Sequence, residues 1–148
     1  MPWSVIFIFV LIFGIPLWFS LKAKPLDLLP YRWATFMAFW LAIGTVTILF
    51  RIMAAREATT TITYLVLAIL SALASAGLFK RAKLGVVFLI AHHAFIFLAP
   101  LIPGTSYVYI SLIFASILMI VNILYFKKRW KYMGSGWLAL ILPLPKEP

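Results

Sequence analysis

Five stretches of this chain run for 18 to 21 residues without one charged side chain: 3–21, 33–50, 62–79, 84–102 and 106–126. A helix needs about 20 largely apolar residues to cross about 30 Å of hydrocarbon, so each stretch is a candidate transmembrane span. The composition agrees, with 66% hydrophobic and 11% charged residues among 148. We therefore expect an all-α integral membrane protein, a compact bundle of five transmembrane helices, or four if the first is peripheral. The first stretch contains Pro16, which a membrane helix tolerates as a kink. A signal peptide would open on basic residues, whereas 1–13 carries no side-chain charge, so we expect this segment to be retained as a helix.

The charges lie between the spans, and their distribution sets an orientation. Of thirteen Lys and Arg, eleven fall on one side: Lys22, Lys24 and Arg32, then Lys80, Arg81 and Lys83, then Lys127, Lys128, Arg129, Lys131 and Lys146. The other side holds Arg51 and Arg56 alone. Cytoplasmic loops concentrate Lys and Arg, so the N-terminus is expected outside and the C-terminus inside, in a cell membrane. With three acidic residues the net charge is +10. Because the cations sit in clusters at the ends of apolar runs, anionic headgroups on the cytoplasmic side are the expected partner, and nucleic acid is not.

The first two loops are expected to take about ten residues each and the next two about four, which leaves room for one transmembrane domain and a basic tail at 127–148. In that tail "GSGW" (134–137) reads as a hinge, and "WLALILPLP" is too short to cross, so it is expected at the interface or over the cytoplasmic end of the bundle. Trp130, Tyr132 and Trp137 resemble an interfacial aromatic belt in position. No internal repeat or low-complexity tract is present.

Helices in lipid approach one another through small residues. The third span offers Ala68, Ala72 and Ala76 every four residues, flanked by Ser71 and Ser75 and extended by Ala74 and Gly77. It is the expected centre of the bundle. The second span has Gly44, Thr45 and Thr47 near its middle, and the fifth has Ser111 and Ser116; such hydroxyls ordinarily bond back to their own helix.

The sharpest functional lead is "FLIAHHAFIFL" (88–98), which places His92 and His93 at the centre of the fourth span. An ionisable side chain at that depth must face protein or water. Neighbouring residues on a helix point about 100° apart, so the two rings are not equivalent. His92 shares a seven-residue stripe with the small residues Gly85 and Ala99 and is expected to face the bundle; His93 shares its stripe with Leu89, Ile96 and Pro100. A buried neutral imidazole needs an acceptor for its N–H and a donor for the other nitrogen, and Ser71, Ser116 or Thr45 lie at a suitable depth.

Several classes are disfavoured. There is no cysteine, and Asp27, Glu57 and Glu147 lie in loops or tail, so no span supplies a carboxylate for proton-coupled exchange or metal binding. Adjacent histidines lack the i, i+3 or i, i+4 spacing that chelates one ion on a helix. No nucleophile–base–acid set or glycine-rich phosphate loop is present, so catalysis by this chain alone is not expected. The expected role is a non-catalytic accessory or assembly subunit that contacts other membrane subunits, or itself, through its helices, with no bound cofactor. Two alternatives are a small oligomeric transporter or channel, and a subunit that ligates a haem or other tetrapyrrole through His92.

Overall fold

The computed structural model of the chain describes residues 7, 10–15, 32–102 and 109–141. Most of these residues, 88%, are helical, with no strand among them, and they are organised around four long helices: α1 (Arg32–Ala54), α2 (Ala58–Phe79), α3 (Lys83–Leu98) and α4 (Tyr109–Arg129). One further turn, α5, spans Leu138–Ile141. Among the described residues three helical stretches are long and apolar enough to cross a membrane: Trp33–Ala54, Ala58–Phe79 and Lys83–Leu101. At 1.5 Å per residue, the 23 residues of α1 reach about 34 Å. The 16 residues of α3 would stop near 24 Å, and the 3-10 turn Ala99–Leu101 that follows adds about 6 Å. Pro100, which has no N–H to continue an α-helix, lies in that turn.

Within 3–21, Val10–Gly14 form a π-helical turn, and the rest of that span apart from Phe7 and Ile15 lies outside the described residues. So do Lys22, Lys24, Asp27, the 103–108 loop and the end of the tail with Lys146 and Glu147.

The connection from α1 to α2 is shorter than its sequence suggests. Helix runs on through Arg51 to Ala54 and resumes at Ala58, so three residues replace the ten expected. Arg51 stays exposed, so its charge does not interrupt the helix. The α2–α3 turn is closed by Ala82 N–H to Gly77 O (2.8 Å) and Arg81 N–H to Leu78 O (3.0 Å), the paired bonds of a Schellman cap. Arg81 takes the left-handed position (φ 52°) that usually goes to glycine.

α2 packs against both α1 and α3 and is the most buried of the three apolar helices. Its packed face differs from the four-residue stripe, however. Ala68, Ser71, Ala74, Ser75 and Gly77 are buried, whereas Ala72 and Ala76 are exposed. A step of four residues advances 400°, so a strict i+4 row drifts about 40° per turn off the contact, and alternating steps of three and four stay on it. Ser71 and Ser75 stitch α2 to α1 by donating to Leu41 O (2.9 Å) and Ala38 O (2.8 Å).

α2 and α3 come closest at two glycines. A Cβ on Gly85 would lie 2.3 Å from the Gly77 carbonyl carbon and 2.5 Å from Leu78 N. The core gathers Trp33, Met37 and Leu41 from α1, Leu78 from α2, Val86 and Leu89 from α3, and Tyr125 and Phe126 from α4, toward the end that carries the α2–α3 turn. Beyond Leu41, α1 has no buried residue.

The segment 134–137 is held at its first residue. Gly134 N–H donates to Arg81 O (3.0 Å) and Gly134 O accepts from Lys83 N–H (2.9 Å), which seats the segment after α4 on the α2–α3 turn. The bend falls at Gly136 (φ 80°). Arg129, counted above among the tail cations, is buried: its guanidinium lies 3.9 Å over the Tyr125 ring and donates to Tyr125 O (3.3 Å).

Candidate functional site

The buried positions of α3 are Gly85, Val86, Leu89, His92 and His93, a single stripe of steps 1, 3 and 4. The histidines are its continuation by one turn. A packed stripe at least 100° wide accommodates two neighbours, one at each edge, so both rings are buried, with 9% of His92 and 4% of His93 exposed. His92 thus faces the bundle as its Gly85 stripe predicts. His93 is equally interior, although its own stripe gave no reason to expect it. The rings meet edge to face, 5.6 Å between centroids and 81° between planes.

Their hydrogen bonding separates them. His93 Nδ1 lies 2.8 Å from Leu89 O on its own helix. A carbonyl accepts only, so Nδ1 is the donor in this contact. The His92 ring is directed at the Leu67 carbonyl of α2, while its buried Nδ1 has no hydrogen-bond partner.

The hydroxyls expected to serve His92 bond elsewhere. Thr45 donates to Leu41 O (2.8 Å), Ser116 to Leu112 O (2.8 Å) and Ser71 to Leu41 O on α1. A threonine or serine in an apolar helix reaches its own i−4 carbonyl more readily than a neighbouring helix, and Ser71 finds its acceptor on the helix it packs against.

Asn122 of α4 was not singled out by the sequence. It is fully buried and accepts the Trp33 indole N–H on Oδ1 at 2.8 Å, joining α1 to α4 across 89 positions of sequence. That bond sets the amide orientation and leaves Nδ2 buried without a partner. A signal was present: Asn122, Tyr125, Phe126 and Arg129 recur at i, i+3, i+4 and i+7, the spacing of one helix face. All four are buried.

Among the described residues the buried polar side chains are hydroxyls, the two imidazoles, the Asn122 amide and the Arg129 guanidinium, with no carboxylate. Among the described residues there is no group of three or more His, Cys, Asp or Glu that would hold a metal ion. His92 Nδ1 and Asn122 Nδ2 are buried without partners among the described residues, and leaving such a group unsatisfied costs about 1–3 kcal/mol. The arrangement is suited to holding helices in register and, at His92, to accepting one further hydrogen bond or ligand. No protein-family model, curated protein or solved structure matches the chain.

Proposed function

We propose that this chain is a five-helix protein of the cell membrane, N-terminus outside and C-terminus cytoplasmic, acting as a non-catalytic accessory or assembly subunit through helix contacts. The observation that carries the reading is the outer half of α1. Ile43, Val46, Leu49, Phe50 and Met53 are between 48% and 74% exposed, and nothing on α1 past Leu41 is buried. A helix this apolar is stable in lipid or against another apolar helix. Thr47, on the same half, is short and exposed, the kind of position another helix approaches closely.

Photo-crosslinkers at Val46 and Phe50, activated in native membranes, test this. Crosslinks to a defined protein, or to a second copy, at near-stoichiometric yield are expected. Crosslinks to lipid alone, with a monomer on solubilisation in mild detergent, overturn the accessory role.

One observation favours a second reading, the unpartnered Nδ1 of His92. A haem or other tetrapyrrole on that nitrogen would give a Soret band in the purified protein, lost in His92→Ala. The ring is 9% exposed, so a flat macrocycle would require the helices around it to part. An absorption spectrum without a visible band removes this reading and leaves His92 as a contact between α2 and α3.

A further inference from the structure

The seating of the tail on the α2–α3 turn assembles a surface that neither segment has alone. Gly134 pairs with Arg81 and Lys83 through its N–H and C=O, so cations from the turn lie beside Trp130–Ser135, about fifty residues later. Lys83 Nζ is 3.4 Å from Ser135 Oγ and 5.6 Å from the centre of the Trp130 ring, and Lys131 Nζ is 4.9 Å from the Tyr132 ring. Trp130 is 41% and Trp137 65% exposed, and the Trp137 ring lies 6.1 Å from Phe88 of α3. Lys127 and Lys128 are exposed at the same end of α4. The one carboxylate among the described residues, Glu57, begins α2 and so stands a full helix length away.

We propose that this clasp is a binding site for the headgroup of an anionic phospholipid, with Lys83 and Ser135 directed to the phosphate and the two indoles lying beside the glycerol and upper acyl chains. The inference rests on the reading of this end as the cytoplasmic membrane interface. A phosphate diester accepts from both an ammonium and a hydroxyl. Exposed indoles beside cations suit a partner that is charged at one end and apolar at the other, which a nucleic acid or a free anion is not.

Native mass spectrometry of the full chain in mild detergent, titrated with phosphatidylglycerol, phosphatidylcholine or ammonium phosphate, tests the site. Phosphatidylglycerol should be retained in preference to phosphatidylcholine. Removing one cation near a headgroup corresponds to about fivefold in affinity, so Lys83→Gln should weaken retention by about that factor, while Lys83→Arg stays within about twofold of the parent. Gly134→Pro deletes the N–H that donates to Arg81 and changes no charge, and should weaken retention similarly; Ser135→Ala supplies a second neutral change should that variant misfold. Arg56→Gln, at the far end, should have no effect.

Equal retention of the two lipids, full retention in Lys83→Gln, or full retention in both neutral variants overturns the proposal. Displacement of the lipid by phosphate at comparable concentration also overturns it, in favour of a site for the free anion. A protein that stays monodisperse in buffer without detergent refutes the membrane reading itself, whereas a detergent-dependent protein without lipid preference refutes the headgroup site alone.

Discussion

Among the described glycines, Gly85 has the least room for a side chain. A methyl there would meet Gly77 and Leu78 backbone at 2.3–2.7 Å, and backbone cannot swing aside as a side chain can. Gly85→Ala should cost about 1–3 kcal/mol or more as α2 and α3 are forced apart, read as a lower midpoint in detergent-titrated unfolding. Gly44→Ala is the contrasting case. Its Cβ would meet Ser71 Oγ at 3.9 Å, an ordinary contact, and its stability should stay close to the parent. Trp33 and Asn122 form the other residue-scale unit. Trp33→Phe strands a buried amide oxygen and should cost about 1–3 kcal/mol, whereas Trp33→Phe with Asn122→Leu should cost less than the two changes summed, by about 0.6–2 kcal/mol. Strict additivity in that double-mutant cycle would mean that the bond contributes nothing.

At the scale of the element, rotation of α2 decides which of its alanines matter. Ala74 is fully buried and Ala68 is nearly so, whereas Ala72 and Ala76 face outward. Replacing Ala74 by Ile should destabilise the bundle by about 1–3 kcal/mol, and the same change at Ala72 or Ala76 should leave the unfolding midpoint near the parent value. The opposite ranking would require the helix to be rotated by nearly half a turn. The same geometry explains α3: its stripe is wide enough to bury both histidines, yet His93 bonds to Leu89 O on its own helix, whereas His92 is turned toward α2 and leaves its Nδ1 without a partner. Mutating His93 therefore tests the packing of α3 with itself, and mutating His92 tests its contact with α2.

For the whole molecule, the physical division is between an apolar girdle and one basic end. The α2–α3 turn and the end of α4 meet at that end through Gly134, and Lys80, Lys83, Lys127, Lys128 and Lys131 are gathered there. Arg51 and Arg56 stand at the other, a full helix length away. A reporter fused after Pro148 should behave as cytoplasmic if this charge difference orients the chain, and a signal from the outer compartment would invert the topology. The core lies toward the basic end, and the side chains of α1 beyond Leu41 are left uncovered by the described bundle.

Length and charge of local segments were legible without coordinates. Helices over 33–50, 62–79 and 84–102 follow from uninterrupted apolar runs, a property of neighbours in sequence; the structure extends four of the six ends by one to four residues, leaves the end at Phe79 in place and stops the last α-helix short, at Leu98. Gly85 and His92 on one close-packed stripe were legible too, because a seven-residue step returns to the same face whatever lies opposite. What faced those stripes was not. That Ser71 would bond to Leu41 rather than to His92, that Ala72 and Ala76 would turn outward, that Asn122 would take the Trp33 indole, that Arg129 would lie over Tyr125, and that Gly134 would be held by Arg81 and Lys83 all depend on the rotation and offset of one helix against another. The sequence by itself determined the apolar helices and the basic end, because both follow from local composition. The tertiary structure alone decided the buried partners and the clasp, because each joins atoms from segments that only packing brings within hydrogen-bonding distance.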